Sequence, residues 1–217
     1  MDIFHVHTYR CGHASMEQDE DYILAAEKLG AKSITFTDHA PFPGNPFTGR
    51  MLFEQLPEYI STLKALKEVY QDRIKVNIGL EIEYLPFFNS YYKELDEEED
   101  IDCLLLGQHF CELPNVEWSF RFNNIGLMES QIQAVKTGYF DAIAHPDRYM
   151  LPEEAVLVKD LVKECKCYDV ALEHNLSVEE KDEFWRCLDD DSKTFIGYDA
   201  HSIKDMQARY VRLYGEK

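Results

Sequence analysis

No run in this 217-residue chain approaches the ~18 consecutive apolar residues that a membrane-spanning helix needs. The opening residues, Met1-Asp2-Ile3-Phe4-His5, lack both a basic stretch and an apolar stretch of the secretory kind, so a cytoplasmic protein is expected. No G-x-G-x-x-G follows the first apolar run and no G-x-S-x-G occurs, which argues against a dinucleotide-binding fold and a serine-hydrolase elbow. Basic residues are few: 22 Lys and Arg stand against 41 Asp and Glu, for a formal net charge of −19. Phosphate backbones and anionic lipid surfaces are held through Lys and Arg, so nucleic acid and membrane are excluded as expected partners. Cys165 and Cys167 form a C-x-C without the C-x-x-C spacing of a structural zinc site. All six cysteines read as ordinary thiols in a reducing compartment.

What the sequence does contain is a rhythm. Short runs rich in Val, Ile and Leu alternate with longer stretches of helical period. The expected strands are Asp2–His7, Ser33–Thr37, Lys75–Glu83, Ile101–His109, Ala142–His145, Val170–Asn175 and Thr194–Tyr198. Expected helices cover Met16–Leu29, closed by Gly30, then Phe53–Tyr70 and Ile125–Thr137, closed by Gly138. Another opens at Pro152 and runs toward Cys165. Val178–Leu188 follows, with Ser177 and Glu180 as a capping box, and Ile203–Leu213 is the last. Strict alternation over seven strands points to an α/β chain folded as a (β/α)7 barrel in one domain, residues 1–217, with a doubly wound open sheet as the competing arrangement. The Pro- and Gly-rich stretch Ala40–Arg50 and the segment Cys111–Asn124 read as loops after strand ends. The acidic runs Asp96–Asp100 and Asp189–Asp191 read as solvated stretches.

Seven of the eight histidines fall at or just past an expected strand end: His5, His7, His13, His39, His109, His145 and His201. The third strand carries Glu81 and Glu83 instead, and Asp199 precedes His201 by two residues. In a parallel barrel all C-terminal strand ends open on one mouth, where active sites are built. His5 and His7, two apart on a strand, are expected to share a face. Imidazole and carboxylate suit zinc, manganese and iron. Seven imidazoles with Glu81 and Asp199 exceed the ligand number of one ion, so two to three divalent ions sharing a carboxylate fit better. His174, which alternates with Glu173 and Asn175, reads as structural.

His5-x-His7, His13, Thr37-Asp38-His39, Glu81 in GLEIEY, His109 in LLGQHF, His145 in AHPDR and Asp199-x-His201 resemble, in order, the motifs of the PHP (polymerase and histidinol phosphatase) family. The opening HVHTYRCGHA, TDHAPFP, GQHF and AHPDR are most similar to its histidinol-phosphatase branch. The resemblance implies a distorted seven-stranded barrel and hydrolysis of a small phosphorylated metabolite, L-histidinol phosphate. It also implies three ions: one on His5, His7, Glu81 and Asp199, a second on Glu81, His109 and His145, and a third on His13, His39 and His201.

On this reading Glu81 and His109 stand at the catalytic water. Arg148 is the candidate phosphate clamp, because its planar fork matches phosphate oxygens. Asp147 is open to two roles, protonating the leaving alkoxide or fixing Arg148. Asp38 is a candidate for orienting a ligand imidazole, and Arg121 for touching substrate. The competing functions are another phosphoesterase of the family acting on a nucleotide or phosphotyrosine, the exonuclease module of polymerases, and a non-catalytic metal-binding protein.

Overall fold

A computed structural model describes residues 1–110 and 126–215 of the chain. Seven parallel strands follow one another in sheet order: β1 Asp2–Val6, β2 Ser33–Phe36, β3 Lys75–Ile82, β4 Cys103–Leu106, β5 Ala142–Ile143, β6 Ala171–Asn175 and β7 Thr194–Gly197. Past the end of β7, Tyr198 N donates to Phe4 O, Ala200 N to His5 O, and His7 N to Ala200 O. These bonds set the continuation of β7 against β1. The architecture is a distorted, nearly closed (β/α)7 barrel, as the alternation predicts. The helices are α1 Asp19–Leu29, α2 Leu56–Tyr70, α3 Asn89–Asp96, α4 Leu127–Val135, α5 Val158–Tyr168, α6 Asp182–Trp185 and α7 Ile203–Tyr214. Among the described residues no helix is long and apolar enough to cross a membrane.

The chain divides into two compact units. One comprises Met1–Leu80, Glu99–Cys103 and Ile196–Lys217. In it Ile3, Ile34, Phe36, Val76 and Ile78 of the strands are buried, as are Tyr22 and Ile23 of α1 and Tyr59 and Leu63 of α2. Each such aliphatic side chain stabilises the fold by roughly 1.5–3 kcal/mol. The other unit comprises Glu81–Glu98 and Leu104–Phe195. Its core holds Leu105, Leu106, Ile143 and Leu172 from strands, with Leu127 and Val135 of α4 and Val158 and Leu161 of α5.

Six strands end one to three residues before the sequence pattern predicts, while β6 ends at Asn175 as expected. After β3 and β4 the Gln108 side chain takes over from the ladder. Its Oε1 accepts from Tyr84 N, and its Nε2 donates to Tyr84 O and Phe110 O. His7, His39, Glu83, His109 and His145 thus lie just beyond their strands. The expected helix over Val178–Leu188 shrinks to the four residues of α6, because the capping box does not form. Ser177 Oγ donates to Asn175 Oδ1, and Glu180 is bound to His174 Nδ1 at 2.6 Å. Helix α3 has no counterpart in the sequence reading. It buries Tyr91, Tyr92 and Leu95, the last lying four and three residues after the two tyrosines on one helix face. The acidic residues Asp96–Glu99 are exposed, as expected, and the loop expected over Cys111–Asn124 lies outside the described residues.

Candidate metal centre

In the first unit β1 does not run straight into His7. His5 has φ +69°, and the register with β2 slips between Ile3 and Val6. This bulge places His5 and Val6 both in the interior and brings the His5 and His7 ring centroids to 5.0 Å, so the shared face expected from simple alternation is reached through a left-handed residue. Asp199 follows β7 at φ +46°. Arg209 of α7 holds that bend by donating through Nη1 to the carbonyls of Tyr198 and Asp199. Asp199 Oδ1 lies 3.8 Å from His5 Nε2, 3.6 Å from His7 Nε2 and 3.5 Å from His201 Nδ1. Positive φ at non-glycine residues costs on the order of 1–3 kcal/mol and persists where surrounding structure enforces it, often at functional sites. His145, in the second unit, shares the feature at φ +31°.

The His13 and His201 rings carry the strongest local evidence for a cation. His13 Nδ1 bonds Cys11 O at 3.0 Å, and His201 Nδ1 bonds Asp199 O at 3.2 Å. A carbonyl only accepts, so each Nδ1 holds the proton and each Nε2 presents a lone pair. Those two Nε2 atoms face each other at 3.0 Å. Two lone pairs at that distance repel unless a proton or metal ion lies between them. In a tetrahedral zinc site with bonds of about 2.0–2.1 Å, ligand nitrogens stand roughly 3.3 Å apart. His39 brings a third donor, and the ligand atoms of His13, His39 and His201 lie within 4.8 Å of one another. Burial, then the neighbouring His7, push the His201 pKa down to about 3, so this ring stays neutral and able to ligate. The donor set fits divalent metal.

In the second unit Glu81, near the end of β3, is buried between two imidazoles. Its Oε1 lies 3.1 Å from His145 Nε2 and 3.7 Å from His109 Nε2. The far sides of both histidine segments are anchored by carboxylates. Glu83 Oε1 accepts from His109 Nδ1 at 2.9 Å, and Glu173 Oε2 accepts from His145 N at 2.6 Å. Because a carboxylate only accepts, Glu83 fixes the His109 tautomer that leaves Nε2 open toward Glu81. Burial works to lower the His109 pKa, but the Glu83 bond and the charges of Glu81 and Glu83 carry it above the ordinary value.

Eight of the nine expected ligands lie at or within a few residues of C-terminal strand ends, and His13 follows the 3-10 turn Tyr9–Cys11 after β1; six are in one unit and three in the other. Asp38 binds elsewhere than the sequence suggests. Its two oxygens accept from Thr8 N and Thr8 Oγ1, pinning the segment after His7 rather than gripping an imidazole. Asp147 Oδ2 accepts from Lys181 N and Trp185 Nε1, and Lys181 Nζ donates to the carbonyls of Arg148 and Met150. Arg148 is exposed, and Arg121 lies outside the described residues. His174 stacks on Trp185 at 3.9 Å, matching its structural reading. Sequence reasoning missed the roles of Glu83 and Glu173, and it missed Tyr149, whose ring stands edge-on to both His109 and His145. For Glu83 a signal existed: it follows Glu81 by two residues on one strand pattern.

A (β/α)7 barrel with imidazole and carboxylate clusters at its C-terminal strand ends defines a metal-dependent hydrolase. The PHP domain model matches residues 4–183, and the chain belongs to the PHP family. It is 30% identical over 196 residues to a protein of Deinococcus radiodurans named "Probable histidinol-phosphatase", covering 84% of this chain and 73% of that one. Other curated relatives are spanned over less of their length, down to 38%. Two solved structures share the fold. One is a Listeria monocytogenes protein described as a "putative histidinol phosphatase", at 17% identity and TM-score 0.80, covering 99% of this chain and all of that one. The other is the histidinol phosphate phosphatase of Lactococcus lactis, complexed with zinc, L-histidinol and phosphate, at 18% identity and TM-score 0.69, covering 99% and 94%.

Proposed function

We propose that this protein is a histidinol-phosphatase, splitting L-histidinol phosphate with water into L-histidinol and phosphate. Family membership carries the coarser statement, a metal-dependent phosphomonoesterase acting on a small phosphorylated metabolite. The finer one is supported by likeness to a histidinol-phosphatase relative across most of the chain. The observation that carries the metal chemistry is the pair of Nε2 lone pairs on His13 and His201 at 3.0 Å.

His13, His39 and His201 hold one ion, and Glu81, His109 and His145 hold another. A third would be held by His5, His7 and Asp199, whose Oδ1 lies 3.8 Å from His5 Nε2 and 3.6 Å from His7 Nε2. Zinc, manganese and iron all suit these donors. When bound, such ions lower the pKa of water toward neutrality and neutralise developing phosphate charge. The chain's own residues do the rest. Glu83 and Glu173 keep His109 and His145 oriented. Asp199 gathers His5, His7 and His201 around one carboxylate. Arg148 clamps the substrate phosphate with its planar fork. Asp147 takes the second of its two open roles, holding the Lys181 segment that grips the backbone at Arg148.

The test is His109→Ala, measured by phosphate release and by circular dichroism. Turnover vanishes while the fold is kept; activity at the wild-type level contradicts the scheme.

A further inference from the structure

Around Arg148 the backbone is firmly tied. Arg148 N donates to His145 O at 3.0 Å and Met150 N to Asp147 O at 3.1 Å, while Lys181 Nζ donates to Arg148 O at 3.2 Å. The side chain itself is exposed, and the Tyr149 ring lies beside it. The Arg148 guanidinium carbon lies 5.3 Å from the centroid of the Tyr149 ring, within cation–π range. That ring is only half exposed. It stands at 70° to the His109 ring with centroids 6.0 Å apart, and at 82° to the His145 ring with centroids 6.2 Å apart.

We infer that Tyr149 is a positioning residue for Arg148: braced edge-on by the two imidazoles, its ring holds the guanidinium ready for the substrate phosphate. A guanidinium can lie over an aromatic face and still offer its N–H edge to phosphate oxygens, which an ammonium cannot do as well. A free arginine surrenders rotamer freedom each time it engages a ligand, and a preset one surrenders less. The ring face does this work, and the hydroxyl is dispensable. The inference rests on the reading of Arg148 as the phosphate clamp.

The experiment is a double-mutant cycle on the metal-loaded protein, with inorganic phosphate as the probe and affinity read by calorimetry. Metal content is measured alongside. Arg148→Met weakens phosphate binding about tenfold. Tyr149→Leu weakens it roughly two- to fivefold, Tyr149→Phe by less than twofold, and metal content is unchanged in both. In the Arg148→Met background Tyr149→Leu adds nothing, because its effect passes through Arg148. Additive losses, a Tyr149→Phe loss as large as that of Tyr149→Leu, or metal lost from Tyr149→Leu would each overturn the inference while leaving the clamp standing. Unchanged phosphate affinity in Arg148→Met would remove the clamp and this inference with it, without touching the metal centre.

Discussion

Gly107 lies directly against Glu81: a Cβ at position 107 would stand 2.6 Å from the Glu81 carboxyl carbon. No real Cβ contact is that short, so any larger residue must displace the carboxylate that His109 and His145 face. Gly107→Ala is expected to cost about 1–3 kcal/mol through overpacking. It should also lower metal affinity about 10–100-fold, as loss of a ligand's support typically does. Thermal melting and metal content by mass spectrometry check both. A variant that binds metal as well as the parent would contradict the coupling of the Glu81 position to metal binding.

Glu83 and His109 give a second prediction. Glu83→Ala removes the acceptor that fixes the His109 tautomer, and metal affinity should fall by about 10–100-fold. Glu83→Gln, which keeps an acceptor oxygen but loses the charge, should fall between the parent and Glu83→Ala. Equal losses in the two variants would show that the hydrogen bond contributes nothing beyond charge.

The metal-free protein should lose stability as pH falls, with His201 as one cause. Its pKa is about 3 in the folded state against an ordinary 6.5. The unfolded chain therefore takes up the proton first. The stability tied to His201 is intact above about pH 6.5 and is lost as pH falls toward 3, by at most about 1.4 kcal/mol per pH unit. His109, raised above its ordinary value, has the opposite sign: its contribution is present below pH 6.5 and fades as pH climbs through the folded value. His201→Asn should flatten the decline below pH 6.5 in urea titrations. An unchanged pH profile would contradict the assignment.

Arg10 is buried, and its Nη1 donates to both oxygens of buried Asp19, at 2.7 and 2.9 Å, and to Thr8 Oγ1 at 3.3 Å. Glu58 takes Nε and Nη2 at 3.2 Å each. Arg10→Met leaves Asp19 charged and uncompensated, and it should destabilise the fold by about 3–5 kcal/mol. Asp19→Asn added to it should recover part of the loss. A melting temperature unmoved by Arg10→Met would show that the network is not structural.

The candidate ligands were legible because their chemistry is stated by residue type and their place by strand ends: His7, His39, His109 and His145 needed only the β/α rhythm. The bulge at His5 was not, because alternation alone puts His5 and His7 on one face and hides the left-handed residue that accomplishes it. Arg10 was invisible for a different reason. Nothing in a linear pattern marks an arginine as buried until Asp19 and Glu58, 9 and 48 residues away, fold around it. The same holds for Gly107, whose importance comes from a neighbour 26 positions earlier on another strand. The local competition at Asn175, Ser177 and Glu180 that shortens α6 was likewise hidden by a plausible capping pattern.

Phosphate release from L-histidinol phosphate, by protein reconstituted with manganese or zinc and run beside a nucleotide and a phosphotyrosine ester, tests the central claim most directly. The account predicts preferred turnover of L-histidinol phosphate that disappears with a chelator. Turnover of only the other esters, or turnover that survives the chelator, would contradict it.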